Sequence, residues 1–143
     1  MISGVRHTGI VVSDIGKAID FWVDLLGFVV QTDKLETGEF IDILLGLKNV
    51  SVRTVKLTAE DGTLIELLSF DSHKELELWK GSPFTNGITH IALNVKNIKI
   101  LVSTLMKAGY YQVNSYQKSP DGKVLVCYLV GFENVLLELV ETI

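Results

Sequence analysis

The sequence predicts an α+β fold built from two tandem βαβββ modules. Three observations predict it. A β-α-β-β-β order of apolar patterns occurs twice within 143 residues. A histidine near the start of each copy stands in the same setting, Val5-Arg6-His7 and Ile88-Thr89-His90, and a glycine follows it at 20 residues (Gly27) and 19 residues (Gly109). Each copy then closes on a matching strand, LIELLSF and LLELVET, with a glutamate at its third position. Self-similarity at a fixed spacing marks a duplicated supersecondary unit. The expected boundaries are 1–70 for the first module, 71–87 for a linker and 88–143 for the second.

The elements follow in order. Val5 to Val12 is rich in β-branched residues, which suit a strand. Asp14 can accept an orphan N–H at a helix start. Ile15, Ala18, Ile19, Trp22, Leu25 and Leu26 then recur at helical spacing, and Gly27 ends the helix. Phe28 to Leu35 reads as a strand. The stretch TGEFIDILLGL reads as a helical turn lying over something. Ser51 to Thr58 and Thr63 to Phe70 read as a hairpin about Glu60-Asp61-Gly62. The linker carries charge, Ser82-Pro83 and Asn86-Gly87, and a short helix is expected around Lys74 to Trp79. In the second module Ile88 to Val95 is a strand. Asn97 is the expected cap of a helix bearing Ile98, Leu101, Val102, Leu105 and Met106, with Gly109 as its stop. Tyr110 to Tyr116, Lys123 to Val130 and Asn134 to Glu141 complete the copy, with turns at Pro120-Asp121-Gly122 and Gly131-Phe132-Glu133.

Composition narrows the function classes. Hydrophobic residues make up 48%, enough for one core or two small half-domains sharing one. No apolar run approaches the roughly 20 residues of a membrane span. A net charge of −4 argues against a nucleic-acid partner, since phosphate neutralisation needs surplus Lys and Arg. The opening MISGVRHTGIVV lacks a basic segment followed by an apolar one, so no secretory signal is expected. A lone cysteine, Cys127, excludes an internal disulfide and fits a reducing cytoplasm.

Four ionisable residues then stand out on apolar strands: His7, Glu66, His90 and Glu138. Both glutamates are flanked by leucine, isoleucine and valine, as in a strand buried on both faces. An ionised carboxylate there costs several kcal/mol unless paired, and neither flank holds Lys or Arg. A divalent cation would serve as partner. Two neutral imidazoles and two carboxylates cancel a 2+ charge, and the mixed N,O set suits Zn, Ni, Co, Fe or Mn. Alternation puts Val5, His7, Gly9 and Val11 on one face, and Ile88, His90, Ala92 and Asn94 on its counterpart. Gly9 and Ala92 are small, which leaves room beside an ion. The opposing readings are a hydrogen-bonded core histidine and a solvent-facing strand glutamate. Repetition of all four at equivalent positions favours the metal.

The motifs HTGIVVSDIGKAIDFWVDLLGF, DGTLIELLSF, THIALNVKNI and NVLLELVE resemble the vicinal oxygen chelate superfamily, which includes glyoxalase I, methylmalonyl-CoA epimerase, extradiol dioxygenases, and fosfomycin and bleomycin resistance proteins. The resemblance spans about Val5 to Glu141. It implies two βαβββ modules forming a curled mixed-sheet cup around one divalent metal ion, held by His7, Glu66, His90 and Glu138. It implies a homodimer acting on a small-molecule substrate, while composition points to the cytoplasm with no nucleic-acid or membrane partner. The first strand continues Thr8-Gly9-Ile10, without the arginine by which bacterial-type glyoxalase I meets glutathione. The resemblance therefore leaves open whether glutathione or coenzyme A takes part.

Four ligands on an octahedral ion leave two adjacent positions for vicinal substrate oxygens. The ion would stabilise an enediolate as a carbon-bound proton leaves. Glu138 is the first candidate base and Glu66 the second. The implied activity is a metal-dependent isomerase, lyase or epimerase of the glyoxalase I or methylmalonyl-CoA epimerase type. Its substrate would be a 2-oxo or 2-hydroxy acid derivative, a thioester or thiohemiacetal. The alternatives are Fe(II)-dependent extradiol ring cleavage and non-catalytic drug binding. Arg6, Arg53 and His73 read as surface residues. Cys127 and Trp22 read as packing, and Trp79 as pocket or core. Phe40, Phe84 and Tyr128 are candidates for the floor of the cup.

Overall fold

A computed structural model describes residues 1–143 apart from 75, 76 and 81. The chain divides into two compact units, Met1–Leu76 and Glu77–Ile143. The first unit runs β1 (Thr8–Val11), α1 (Ile15–Ile19), a π-helical segment (Asp20–Leu25), β2 (Val29–Thr37), α2 (Glu39–Leu45), β3 (Ser51–Thr58) and β4 (Leu64–Phe70). The second runs β5 (Ile91–Asn94), α3 (Ile98–Lys107), β6 (Tyr111–Gln112), β7 (Gln117–Lys118), β8 (Val124–Val130), a 3₁₀ turn (Phe132–Asn134) and β9 (Leu136–Thr142). Strand order is β1-β4-β3-β2 in one sheet and β5-β9-β8-β6 in the other, with β7 beside β8. The first strand of each unit pairs in parallel with the last, and the remaining pairs are antiparallel. This is the duplicated α+β topology the sequence predicts.

Details depart from the periodicity. The helix after Asp14 begins as expected, with the Lys17 N–H donating to Asp14 Oδ1 at 3.0 Å. It then widens, and the Leu26 N–H donates five residues back to Phe21 O at 3.2 Å. The wider turn brings Phe21 into the core beside Trp22 and leaves Leu25 and Leu26 half-buried. Trp22 meets Phe21 and Phe28 edge-to-face, ring centres 5.7 and 5.2 Å away. The expected α2 forms. Its Ile41 packs with Val50, Val52, Leu68 and Phe70 on one face of the sheet. Val55, Leu57, Ile65 and Leu67 are buried on the other.

Asn97 does not cap α3 as predicted. It lies in a left-handed conformation (φ 55°) and makes no side-chain cap bond. Glu141, on β9, does the capping, accepting from the N–H groups of Asn97 and Ile98 at 2.7 and 3.1 Å. A cap 44 residues away in sequence is invisible to local patterning. The strand expected over Tyr110 to Tyr116 shrinks to two residues. Asn114 leaves the ladder and places its own side-chain oxygen on the Tyr128 N–H at 3.0 Å. No helix forms at Lys74 or over Glu77 to Trp79, and the rest of that expectation, residues 75 and 76, lies outside the described residues.

Glu141→Ala should therefore lower stability by about 1 kcal/mol in urea denaturation, the usual worth of a helix cap. Asn97→Gly, which suits the left-handed backbone, should shift it by less than about 0.5 kcal/mol. An equal loss in both variants would contradict this assignment of the cap.

Candidate functional site

Parallel pairing of first and last strand builds the site in each unit. In the first, Gly9 lies opposite Glu66. The preceding same-face residue is His7, and its Nε2 comes within 3.1 Å of Glu66 Oε2. In the second, Ala92 lies opposite Glu138, and His90 Nε2 is 3.1 Å from Glu138 Oε2. The small residues predicted to leave space are thus the direct strand partners of the two carboxylates. A β-carbon added at Gly9 would meet only Leu68 Cδ1, at an ordinary 3.5 Å.

The glutamates are not on strands buried from both sides, as their flanks imply. β4 and β9 alternate, and the two side chains keep 15% and 26% of their surface. Glu66 also has a local cation that its own strand does not reveal. Lys56 faces it from β3, with Nζ 3.6 Å from Oε1. A cross-strand partner is set by register, which flanking sequence does not encode. The equivalent position in the second unit is Tyr128, directly opposite Glu138 on β8. Its ring stands edge-on to His90 at 5.3 Å. Burial first, then the charge of Glu138 and a hydrogen bond to it, push the Tyr128 hydroxyl above its ordinary pKa. One carboxylate therefore meets an ammonium and its counterpart a neutral phenol.

Each imidazole–carboxylate pair suits a divalent ion by donor type and spacing. Two ligand atoms in adjacent positions at metal bonds of about 2.1 Å lie about 3 Å apart. His90 Nδ1 meets Thr89 Oγ1 at 2.9 Å. Two tautomers fit this contact: with the ring proton on Nδ1 the Nε2 lone pair is open to a cation, and with it on Nε2 the ring donates to Glu138. His7 Nδ1 is buried without a hydrogen-bond partner. Among the described residues no group of three or more His, Cys, Asp or Glu side chains is set to hold an ion, and within each unit the donors stand as a pair.

Arg53 forms a two-pronged bond to Asp33, through Nε at 2.9 Å and Nη2 at 2.6 Å. His73 is exposed, its Nδ1 2.8 Å from Ser72 Oγ. Cys127 is buried, and burial pushes its thiol up, away from nucleophilic chemistry. Phe40 and Phe84 are 77% and 89% exposed, whereas Tyr128 lies opposite Glu138. Sequence reasoning missed Lys56. The only signal for it was a lysine at an alternating position of the run Val52 to Leu57, which also holds Arg53. No helix among the described residues is long and apolar enough to cross a membrane.

Residues 6–128 match the sequence profile of the Glyoxalase/Bleomycin resistance protein/Dioxygenase superfamily. No curated protein matches the chain in sequence. Among solved structures, a glyoxalase family protein from Bacillus cereus superposes with a TM-score of 0.92 at 24% identity, over 100% of this chain and 96% of that one. A superfamily member from Sphaerobacter thermophilus gives 0.66 at 24% identity, covering 98% of each chain. The fosfomycin resistance protein FosX of Listeria monocytogenes, in a mutant form complexed with Mn(II) and a dihydroxypropylphosphonic acid, gives 0.63 at 16% identity, over 97% and 90%.

If Lys56 and Glu66 interact as placed, Lys56→Met should cost about 1 kcal/mol in urea denaturation with chelator present. The double variant Lys56→Met/Glu66→Gln should cost less than the two single changes combined. Strict additivity would contradict the pairing.

Proposed function

Because the chain belongs to the glyoxalase/bleomycin resistance protein/dioxygenase superfamily, we propose that it is a divalent-metal-dependent isomerase, lyase or epimerase. Its substrate is a small 2-oxo or 2-hydroxy acid derivative, a thioester or thiohemiacetal. In this reading His7, Glu66, His90 and Glu138 hold one ion per site in a cytoplasmic homodimer. The observation that carries it is the repeated pair: an imidazole nitrogen 3.1 Å from a carboxylate oxygen at the same strand positions of both units. A divalent ion in a similar fold supports it, since FosX is complexed with Mn(II) and a ligand bearing neighbouring hydroxyls.

The ion, when bound, supplies Lewis acidity toward two adjacent substrate oxygens. The protein's own residues divide the remaining work. Glu138 accepts the proton from the carbon beside the carbonyl and returns it. It suits that role better than Glu66, because its partners among the described residues are His90 and Tyr128, whereas the Lys56 ammonium engages Glu66. Tyr128, opposite Glu138 and edge-on to His90, holds both in place. Gly9 and Ala92 leave the space in which the substrate lies against the carboxylates.

Titration of metal-free protein with Mn(II), followed by paramagnetic resonance, should give one ion per pair of imidazoles. His7→Ala and His90→Ala should each weaken binding by about a hundredfold or more, beyond the 10–100-fold cost of losing an outer-shell group. Exchange of the α-proton of a 2-hydroxy thioester in D₂O should depend on the metal. Glu138→Gln should abolish that exchange while most of the metal stays bound. Unchanged exchange in this variant would remove Glu138 as the base.

A further inference from the structure

A cleft of about 340 Å³ opens in the second unit, lined by Trp79, Lys80, Tyr111, Val113, Val130 and Leu136 among others. Its position follows from register. Val130 and Leu136 are cross-strand partners, and Tyr111 lies opposite Val130. One alternation further along the same strands stand Tyr128 and Glu138, also partners. Residues two apart on a strand share a face. The cleft therefore lies on the same face of the sheet as the His90–Glu138 pair, one alternation away along β8 and β9. The opposite face is filled by Cys127, Leu129, Leu137 and Leu139.

The lining is mostly apolar and aromatic, with Lys80, Ser82 and Asn134 as its polar members, and it is open to water. Trp79, Tyr111 and Val113 are 41%, 58% and 50% exposed. Large apolar side chains around a concave surface mark a binding site more often than a stray exposure. The volume suits the smaller end of the range for organic ligands, about 300–1,000 Å³.

We propose that this cleft is the subsite for an aryl substituent of the substrate, with Trp79 and Tyr111 as its ring contacts. The proposal rests on the preceding reading, in which Glu138 and His90 meet the reacting end. A step from Glu138 to Leu136 along β9 is about 7 Å. That reach suits a ring carried one or two carbons from the vicinal oxygens. The substrate class narrows to aryl-substituted 2-oxo or 2-hydroxy acid derivatives. The aromatic faces supply stacking and edge contacts that an alkyl tail would use less well.

The probes are phenylpyruvate and pyruvate, which differ by the ring. With Mn(II)-loaded protein, phenylpyruvate should bind at least about tenfold more tightly than pyruvate. Tyr111→Ala and Trp79→Leu should each erase most of that preference while Mn(II) affinity and pyruvate binding stay unchanged. Equal affinity for the two acids, or a preference that survives both substitutions, overturns the subsite. If Mn(II) fails to bind, the metal-enzyme reading falls, and the cleft is tested without it. Phenylpyruvate should then still quench Trp79 fluorescence in chelator, with the effect lost in Tyr111→Ala. No quenching, or quenching indifferent to Tyr111, overturns the subsite independently.

Discussion

The parallel register between the first and last strand of each unit is the constraint on which the site depends. It sets Gly9 across from Glu66 and Ala92 across from Glu138, and so aims His7 and His90 at those carboxylates. A slip of one residue would turn every side chain of the strand to the opposite face. Burial guards against that slip. Ile65, Leu67, Leu137 and Leu139 are fully buried, and a slipped strand would present them to the solvated side in exchange for a glutamate. The apolar residues flanking each glutamate thus fix the position of a charge they do not themselves stabilise.

The two units use the same frame for different surroundings. In the first, β3 brings an ammonium to Glu66, and α2 lays Ile41 over the same face. In the second, β8 brings a phenol to Glu138, and the segment before β5 contributes Trp79 and Lys80 to an open cleft. Duplication keeps the donor atoms, while the third strand and the connections decide what lies beside them.

Much of this was legible in the sequence, because duplication doubles every weak signal. One strand histidine says little, but His7 and His90 in matching settings point to a repeated strand. Each of them stands beside the glutamate of its own unit. Illegible were the features set by tertiary register: Lys56 opposite Glu66, Tyr128 opposite Glu138, and Glu141 in place of Asn97 as the cap of α3. The π-helical turn that buries Phe21 escaped because helical periodicity presumes a constant pitch. Membership of the superfamily rests on residues 6–128 and fixes the fold family, while the proposed reaction rests on the donor atoms.

The central claim is that the two imidazoles are ligands of one ion. X-ray absorption at the metal edge of reconstituted protein tests it most directly, because imidazole gives a distinctive multiple-scattering pattern that can be counted. The account predicts two imidazoles in a shell otherwise made of oxygen, falling to one in His7→Ala and to one in His90→Ala. A shell with a single imidazole in the unaltered protein, or with none, would contradict it.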